Sequence, residues 1–495
     1  MGLSIDTDEF TPQDFESFSQ KVRDDLVALK EILNNPEFGE GEASLGAELE
    51  FYIIDKKRNV MPINLAIAEK LNDPLLTVEL NRFNLEYNLS PQPFKGSPFK
   101  AMEQELQDAI SRINAAAGIQ GGEIVPIGIL PTLKRTDFNA HTMTDIPRYR
   151  ALSNALCRMR GGPFIIDIDG KDPINLETND VTLEGANTSF QVHWRVPAQL
   201  FAKYYNAVQL VTPIVLALSA NSPSLFGHEL WDETRIALFK QSIDSRAPHE
   251  QDWRHPPRVY FGNGWLREGA WELFASAAAL FPPIIPITGS ENPFDSLAPG
   301  HAPKLEELRL HQGTTWPWNR AIYDDGDGGH LRIEMRSLPA GPSLIDMSAN
   351  ALLFMGCALA VLPEIDHLTA VLPFSYAEHN FYRAAKHGLD ARLVWPDIKQ
   401  VKLHDESVIQ IAERLLPQAQ RALEQTAMDN AEIKRLFTVI QGRIEERING
   451  AQWQRHVTHS ILEHTPKEEA FNTMLELYLK QFKTGKPVCE WSRTI

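Results

Sequence analysis

Cysteine is scarce in this chain, with three residues among 495, and their positions exclude the common cysteine-based scaffolds. Cys157, Cys357 and Cys489 are odd in number, far apart and not part of a CxxC pair. Neither a disulfide framework nor a cysteine-based zinc site is therefore indicated. Isolated thiols suit a reducing compartment, so we expect the protein to work in the cytoplasm.

Targeting signals and long apolar runs are also missing. Residues 1–17 (MGLSIDTDEFTPQDFES) are acidic and lack the basic and apolar regions of a signal peptide, and Asp6 breaks the myristoylation pattern that Gly2 would begin. The most apolar runs, residues 208–220 and 351–362, are shorter than the roughly 18 residues that suggest a membrane span. We expect both to form buried helices, and we expect no membrane partner.

Positive charge is in short supply, and no glycine motif for phosphate binding is present. The chain has 48 basic and 65 acidic residues, a formal net charge of −17, which argues against nucleic acid as a partner. The patterns GxxxxGK[ST] and GxGxxG are both absent. A nucleotide or another anionic small molecule would therefore be held by local arginines or by metal ions.

The sequence does contain four stretches that alternate between an apolar side and a polar side. They are residues 46–53 (GAELEFYI), 84–89 (NLEYNL), 189–196 (SFQVHWRV) and 330–336 (HLRIEMR). Strand side chains alternate with period two, so Glu48 and Glu50 share one side of the first stretch, and Arg332, Glu334 and Arg336 share one side of the last. The pattern predicts one sheet whose second face is charged.

A further acidic pair follows the first stretch. Glu79 and Glu86 are seven residues apart, an odd separation that would place them on opposite faces of one straight strand. A turn through residues 81–84 would bring them to the same face, and we expect such a turn.

Five carboxylates from three regions are therefore expected on the polar face: Glu48, Glu50, Glu79, Glu86 and Glu334. Like charges on one face repel unless a cation or an arginine lies between them. Oxygen-only ligands of this kind suit Mg²⁺ or Mn²⁺. The alternatives are a solvated outer sheet face, which antiparallel sheets often have, and a buried ion-pair network around Glu334.

Strands and helices alternate without a regular βαβ rhythm, which favours an α+β fold with a mainly antiparallel, curved sheet and helices packed outside it. We expect a leading helix within residues 1–37, a main catalytic domain over residues 38–395 and a helical layer over residues 396–495. The proline- and glycine-rich residues 262–308 are expected to form a loop that covers a cleft or a long connection. Residues 324–329 (DDGDGG) are expected to form a turn before the last stretch.

Several motifs together resemble the glutamate–cysteine ligase and carboxylate-amine ligase group of the glutamine synthetase-like superfamily. The motifs are GAELEF (46–51), VELNRFNLEYNLSP (78–91), FQVHWRV (190–196), LALSANSPSLFG (216–227) and IEMRSLP (333–339). The resemblance covers roughly residues 42–365 and is specific as an ordered set. It implies a glutamine synthetase-like catalytic fold with a metal-lined polar face.

The resemblance also implies a reaction and roles for individual residues. ATP would phosphorylate a carboxylate, usually the side chain of glutamate, and an amine would attack the acyl phosphate to give an amide. The implied metal ligands are Glu48, Glu50, Glu79, Glu86 and Glu334. The implied catalytic residues are Arg336, which would contact the transferred phosphate, and His193, beside the nucleotide phosphates. Arg336, His193 and Arg332 are the candidates for binding ATP.

Weaker candidates surround this set. Arg148, Tyr149, Arg150 and Arg320 are candidates for substrate binding, with a solvated helix surface as the alternative for the first three. Glu177 and Glu184 are each a further candidate metal ligand. Trp316 and Trp318 are expected in the core or the cleft wall.

Two segments depart from the family pattern. The strand FQVHWRV and the ending SLPAGP differ from the usual family forms and border the expected acceptor pocket, so the amine need not be cysteine. A phosphotransferase on the same scaffold and a non-catalytic metal- or nucleotide-binding homologue remain the alternative functions.

Overall fold

The four alternating stretches lie side by side in one eight-stranded sheet, and every pairing within that sheet is antiparallel, as the sequence predicts. The computed structural model describes residues 7–247 and 255–493. Strands within these ranges are, in chain order, β1 (Ser44–Ile54), β2 (Leu76–Val78), β3 (Asn84–Asn88), β4 (Gln92–Pro93), β5 (Lys95–Gly96), β6 (Glu123–Val125), β7 (Phe164–Ile168), β8 (Ile174–Thr178), β9 (Phe190–Arg195), β10 (Ser224–Leu225), β11 (His228–Glu229), β12 (Val259–Tyr260), β13 (Trp316–Pro317), β14 (Asn319–Asp324), β15 (His330–Met335), β16 (Arg392–Asp397), β17 (Lys402–Ser407) and β18 (Ala427–Met428).

The order of the large sheet is β14-β15-β9-β1-β3-β2, and β4 and β6 also pair with β1. Alternate side chains of β1 are buried, including Leu45, Ala47, Leu49 and Phe51, while the glutamates between them point to the other face. A slip of one residue would exchange the two faces, so this burial pattern fixes the register. The remaining strands form two-stranded pairs outside the large sheet.

Helices surround the sheet. Within the described ranges they are α1 (Pro12–Leu33), α2 (Asn64–Leu71), α3 (Pro98–Gly118), α4 (Pro147–Arg160), α5 (Phe201–Ser219), α6 (Arg235–Ser242), α7 (Trp271–Leu280), α8 (Pro293–Leu297), α9 (Glu306–Gln312), α10 (Leu344–Val361), α11 (Ile365–Val371), α12 (Phe374–His387), α13 (Val408–Glu424), α14 (Asn430–Glu446), α15 (Gly450–Leu462) and α16 (Lys467–Phe482).

The two most apolar segments form α5 and α10, which pack against each other in the core as expected. One helical stretch, Leu344–Val371, is long and apolar enough to cross a membrane by length and composition. However, 78% of its most apolar 18-residue segment is buried inside the protein. It is therefore accounted for as a core helix.

The leading helix α1 begins at a capping box. Thr11 accepts a hydrogen bond from the backbone of Asp14, whose carboxylate accepts one from the backbone of Thr11, and Pro12 occupies the first turn. The helix packs against α7, α8 and α9. α7 and α8 lie within residues 262–308, where we expected a loop or a long connection, and α9 begins there. Apolar residues such as Phe274 and Leu308 give this segment a buried side.

The last helices, α13 to α16, are anchored to the body by buried polar contacts. Arg443 donates to Asp346 at 2.8 Å between Nη2 and Oδ1, and both side chains are almost fully buried. The expected boundary between residues 395 and 396 lies within the β16–β17 hairpin. The division into three parts stays a prediction.

Candidate active site

One face of the large sheet is polar across its width. In each pair of neighbouring strands, residues in register point to the same side: Arg320 with Glu334, Glu334 with His193, and Glu50 with Glu86. We call this surface the polar face; its members are Thr77, Glu86, Asn88, Glu48, Glu50, Gln191, His193, Arg195, Arg320, Arg332 and Glu334.

Glu334 is held by two arginines. Arg320 grips both of its carboxylate oxygens, with Nε 2.7 Å from Oε2 and Nη2 2.9 Å from Oε1, and Arg336 donates from Nη1 to Oε2 at 3.1 Å. Burial disfavours the ionised form, but the two guanidinium groups outweigh it and hold the pKa of Glu334 well below its usual value. Arg320, expected to contact substrate, is engaged by this carboxylate.

His193 joins Glu334 to Glu48. Its Nε2 lies 3.1 Å from Oε1 of Glu48 and 3.7 Å from Oε1 of Glu334. Burial opposes ionisation of Glu48, yet the imidazole holds its pKa below the usual value. One ligand atom from each of these three residues lies within 4.8 Å of the others, an arrangement that a metal ion could share.

Glu50 occupies the centre of the polar face. Its Oε2 accepts a hydrogen bond from the backbone N–H of Ser189 at 2.6 Å, and its Oε1 accepts one from Nε2 of Gln191 at 3.2 Å. Burial raises its pKa, although the charges of Arg235 and Arg336 oppose the rise. The carboxylate is thus fixed in place while its charge is only partly compensated.

The turn after β2 brings the second acidic pair to the same face. Thr77 lies opposite Glu86 in the β2–β3 pair, and Glu79 follows two residues after Thr77, so all three side chains point the same way. Glu86 accepts hydrogen bonds from Thr77 and from Nδ2 of Asn88, both at 3.0 Å. Burial and the charges of Glu48 and Glu50 raise the pKa of Glu86 to about 8.

Glu184 lies near Glu79 and Glu50. Burial, followed by the charges of Glu86, Glu50 and Glu184, raises the pKa of Glu79 well above its usual value. Burial and the charge of Glu50 raise the pKa of Glu184 to about 8. Glu184 is thus placed near the carboxylates, whereas the other candidate, Glu177, is exposed on the β7–β8 hairpin.

Comparison with known sequences identifies the part of the chain that builds most of this face. Residues 44–259 match the sequence model of Glutamate-cysteine ligase family 2. The match spans a little under half of the chain. None of the curated proteins matches the chain.

One solved ligase structure shares the fold. The glutamate–cysteine ligase of Francisella tularensis, solved in complex with AMP, matches with a TM-score of 0.57 at 11% identity, covering 90% of each chain. A bifunctional glutathione synthetase of Pasteurella multocida matches with a TM-score of 0.46 at 11% identity over 92% of this chain and 54% of the other. The family match, together with the shared fold of the first structure, supports an ATP-dependent ligase that forms a carbon–nitrogen bond.

The match to Glutamate-cysteine ligase family 2 ends before the last part of the polar face. It includes Glu48, Glu86 and His193, but Glu334 and Arg336 lie beyond residue 259. The resemblance that the sequence suggested extended to about residue 365. The sheet joins the two parts, because β15 pairs directly with β9.

One buried residue within residues 44–259 was not among the candidate site residues that the sequence suggested. Arg235, 2% exposed, donates from Nη1 to Oε1 of Glu233 at 3.0 Å and to the carbonyl of Ser337 at 3.2 Å. Its charge acts on Glu50, as described above. The sequence does offer a signal for this residue: Arg235 directly precedes the apolar run IALF (236–239). A cation next to such a run is seldom buried unless it has an acidic partner, so a buried ion pair could have been expected.

The candidates Arg148, Tyr149 and Arg150 lie at the start of α4, close to Glu79. Tyr149 donates its hydroxyl to the carbonyl of Val78 at 2.8 Å, next to Glu79. Burial, then the charge of Glu79, raises the pKa of Tyr149, and the charge of Arg148 opposes this. Arg150 instead forms ion pairs with Asp8 and Asp145.

The remaining candidates occupy the opposite end. Arg332 donates from Nη1 to Oδ2 of Asp324 at 2.9 Å and lies 3.0 Å from Nε2 of His330. Trp318 is buried in the core and packs edge-on against Phe239, whereas Trp316 is half-buried. These positions agree with the expected core and wall roles of the tryptophans.

The donor set fits a divalent cation such as Mg²⁺. Four of the acidic side chains, Glu50, Glu79, Glu86 and Glu184, have raised pKa values, and no described residue forms an ion pair with any of them. Carboxylate oxygens at this density are the ligands that Mg²⁺ and Mn²⁺ prefer. Burial is the main cause of these raised pKa values, and neighbouring carboxylates add to it at Glu79, Glu86 and Glu184. A bound cation would favour the ionised form of each carboxyl and so oppose the rise.

Proposed function

We propose that this protein is a glutamate–cysteine ligase-like enzyme that uses ATP to join the side-chain carboxylate of glutamate to an amine, with release of ADP and phosphate. The observation that carries the proposal is the polar face, where a carboxylate cluster lies beside Arg336, Arg320 and His193. The match to Glutamate-cysteine ligase family 2 supports the same chemistry.

The proposed metal ligands are Glu48, Glu50, Glu79, Glu86 and Glu334, with Glu184 as a further ligand. Mg²⁺ bound there would neutralise charge on the phosphates during transfer. The hydrogen bonds from Ser189, Thr77 and Asn88 would hold the carboxylates of Glu50 and Glu86 in place. A site fixed in this way needs little rearrangement when it binds its ligands.

Arg336 is the residue proposed to stabilise charge on the transferred phosphoryl group. A carboxylate oxygen of the substrate attacks the γ-phosphorus of ATP, ADP leaves, and an acyl phosphate forms. The amine nitrogen then attacks the acyl carbon, the bond to the phosphate oxygen breaks, and the nitrogen loses a proton. Arg336 is available because Glu334 orients its guanidinium through one hydrogen bond, which leaves its other donors for phosphate oxygens.

His193 is proposed to contact the nucleotide phosphates. Its Nε2 is directed at Glu48, while its buried Nδ1 has no hydrogen-bond partner among the described residues. A buried polar atom without a partner is costly, so a ligand that reaches it would be favoured. Arg332 and Arg148 are proposed as further contacts for ATP and for the substrate, respectively. The enzyme's three isolated cysteines support our proposal that it works in the cytoplasm.

The test is ADP release from ATP with Mg²⁺, glutamate and a panel of amines that begins with cysteine, followed by mass spectrometry of each positive reaction. We expect a γ-glutamyl amide. Glu48→Gln should lower turnover about 100-fold or more, since it removes a charge at the reacting phosphates. Glu177→Gln, an exposed glutamate on the β7–β8 hairpin, is the matched control and should leave turnover unchanged.

Two results would contradict the proposal. A stable phosphorylated product in place of an amide would indicate a phosphotransferase. Equal turnover in the Glu48→Gln and Glu177→Gln proteins would refute the assigned metal site.

A further inference from the structure

A second concave site lies away from the polar face. A cavity of about 350 Å³ is enclosed by the β10–β11 hairpin, the loop before β8 and helices α15 and α16. We call it the α15–α16 cavity. None of the described polar-face residues lines it. Its volume suits a small organic molecule.

The floor of the α15–α16 cavity is apolar. Phe471 and Met474 of α16 and Leu462 of α15 line it, together with Pro223. Met474 is fully buried, whereas Leu462 is 38% exposed. Leu462 and Phe471 therefore offer the apolar surface on which a ring or a hydrocarbon chain would be removed from water, while Met474 lines the cavity without reaching solvent.

The wall of the cavity is charged and internally paired. Glu229 accepts hydrogen bonds from Arg455 at 2.6 Å and Lys171 at 3.1 Å, and its Oε2 lies 2.8 Å from Nε2 of His459. Burial opposes ionisation of Glu229, but these partners lower its pKa to about 2. Lys467 donates to Asp172 at 2.8 Å. Both oxygens of Glu229 are engaged by donors.

The lysines at the rim keep donors unused. An ammonium group has three N–H donors. Lys467 uses one on Asp172 and Lys171 uses one on Glu229, while Nζ of Lys171 also lies 3.2 Å from Nε2 of His459. Their side chains are 55% and 63% exposed, so both ammonium groups reach solvent. The rim therefore has spare positive donors, whereas the acceptors of Glu229 are occupied.

Arg455 is engaged by groups of the protein and is not free to meet a ligand. Its guanidinium also contacts Asp232 at 3.0 Å and donates to the carbonyl of Leu230 at 2.7 Å. Its charge is shared between two carboxylates. The two lysines are therefore the groups that would meet a ligand's charge.

We propose that the α15–α16 cavity binds a small organic anion with an apolar portion, with its carboxylate at Lys171 and Lys467 and its ring or chain on Phe471 and Leu462, next to Met474. A neutral molecule of the same shape would lose the contact with the lysines, and a short anion without an apolar portion would lose the floor. Both parts of the site are required for binding.

The test uses 3-phenylpropionate and the methyl resonances of the protein labelled with [¹³C-methyl]methionine. We expect a saturable shift of the Met474 resonance, which a Met474→Leu protein identifies. The double variant Lys171→Gln/Lys467→Gln should bind about tenfold more weakly, since exposed charge contacts contribute modestly. Lys203→Gln, which alters an exposed lysine paired with Asp366, should bind as the parent does.

Two matched probes complete the experiment. 3-Phenylpropionamide should bind as weakly to the parent as 3-phenylpropionate does to the double variant, and propionate should give no saturable shift. The proposal is overturned if 3-phenylpropionate leaves the Met474 resonance unmoved up to its solubility limit, or if the amide or the double variant binds equally well. No readout involves ATP, so the result is independent of the proposed ligase reaction.

Discussion

The two ends of the polar face treat buried carboxylates in opposite ways. At the β14–β15 end, Glu334 is neutralised by Arg320 and Arg336, and its pKa is lowered. At the β1–β3 end, Glu50 and Glu86 lie in register with hydrogen-bond donors around them but no ion pair from a described residue, and their pKa values are raised. The protein supplies arginines to the carboxylate at one end, whereas at the other end, among the described residues, it supplies no ion-pair partner to Glu50 or Glu86, and there we propose that Mg²⁺ binds.

The largest effect is expected at the end that carries its own cations. Glu334→Gln removes the charge that pairs with two buried arginines, so it should lower the free energy of unfolding by about 3–5 kcal/mol. Most of the loss should already be present in EDTA, because the arginines are uncompensated without metal, and Mg²⁺ should add to it because Glu334 is also a proposed metal ligand. Urea unfolding measures it, with Glu177→Gln as the control.

A smaller effect of opposite sign is expected at the other end. Glu86→Gln keeps an oxygen for Thr77 and Asn88 but removes a carboxyl whose pKa of about 8 makes it take up a proton on folding at neutral pH, so in EDTA it should raise the free energy of unfolding by about 1 kcal/mol. Mg²⁺ should then stabilise the variant less than it stabilises the parent. If Glu86→Gln destabilises the metal-free protein as strongly as Glu334→Gln does, the contrast between the two ends is wrong.

The smallest effect is expected at a buried carboxylate outside the polar face, Asp25. Asp25 of α1 accepts a hydrogen bond from the backbone of Leu308 at 3.0 Å, and burial raises its pKa to about 7. The folded state therefore holds this proton more tightly than the unfolded state does. Its contribution to stability is fully present below about pH 4 and is lost as the pH rises through 7.

Asp25→Asn should remove this dependence. We expect the unfolding temperature of the variant to fall less between pH 5 and pH 8 than that of the parent, by about 1–2 °C. Thermal unfolding at the two pH values measures it. Identical falls in the two proteins would show that the Asp25 carboxylate does not titrate in this range.

Much of the sheet could be predicted because alternation is a local signal. The strands around Glu48, Glu86, His193 and Glu334 were expected in the sequence, and the structure places them in one antiparallel sheet. The convergence of Glu79 with Glu86 followed from the turn expected at residues 81–84. Each of these predictions needs only the period of a strand and the position of a turn.

Other features could not be predicted because they depend on contacts between distant segments. The capture of Arg320 by Glu334 requires the register of β14 with β15, and the approach of Arg235 to Glu50 requires the packing of α6. The helices within residues 262–308 were not predicted because prolines and glycines interrupt the helical pattern of this segment. Their apolar side is stabilised by packing against α1, a contact between distant segments that the local sequence does not indicate.

The order of the strands also determines the order in which a growing chain can assemble the polar face. β9 pairs with β1 on one edge and with β15 on the other, and β15 begins only at His330, long after β9 ends at Arg195. During synthesis the acidic end can therefore form while the far edge of β9 is still unpaired, a state that is open to wrong partners. The arginines of β14 and the β15 end are synthesised last, so the newly made protein acquires the carboxylates of Glu50 and Glu86 before it acquires the arginine-paired carboxylate of Glu334.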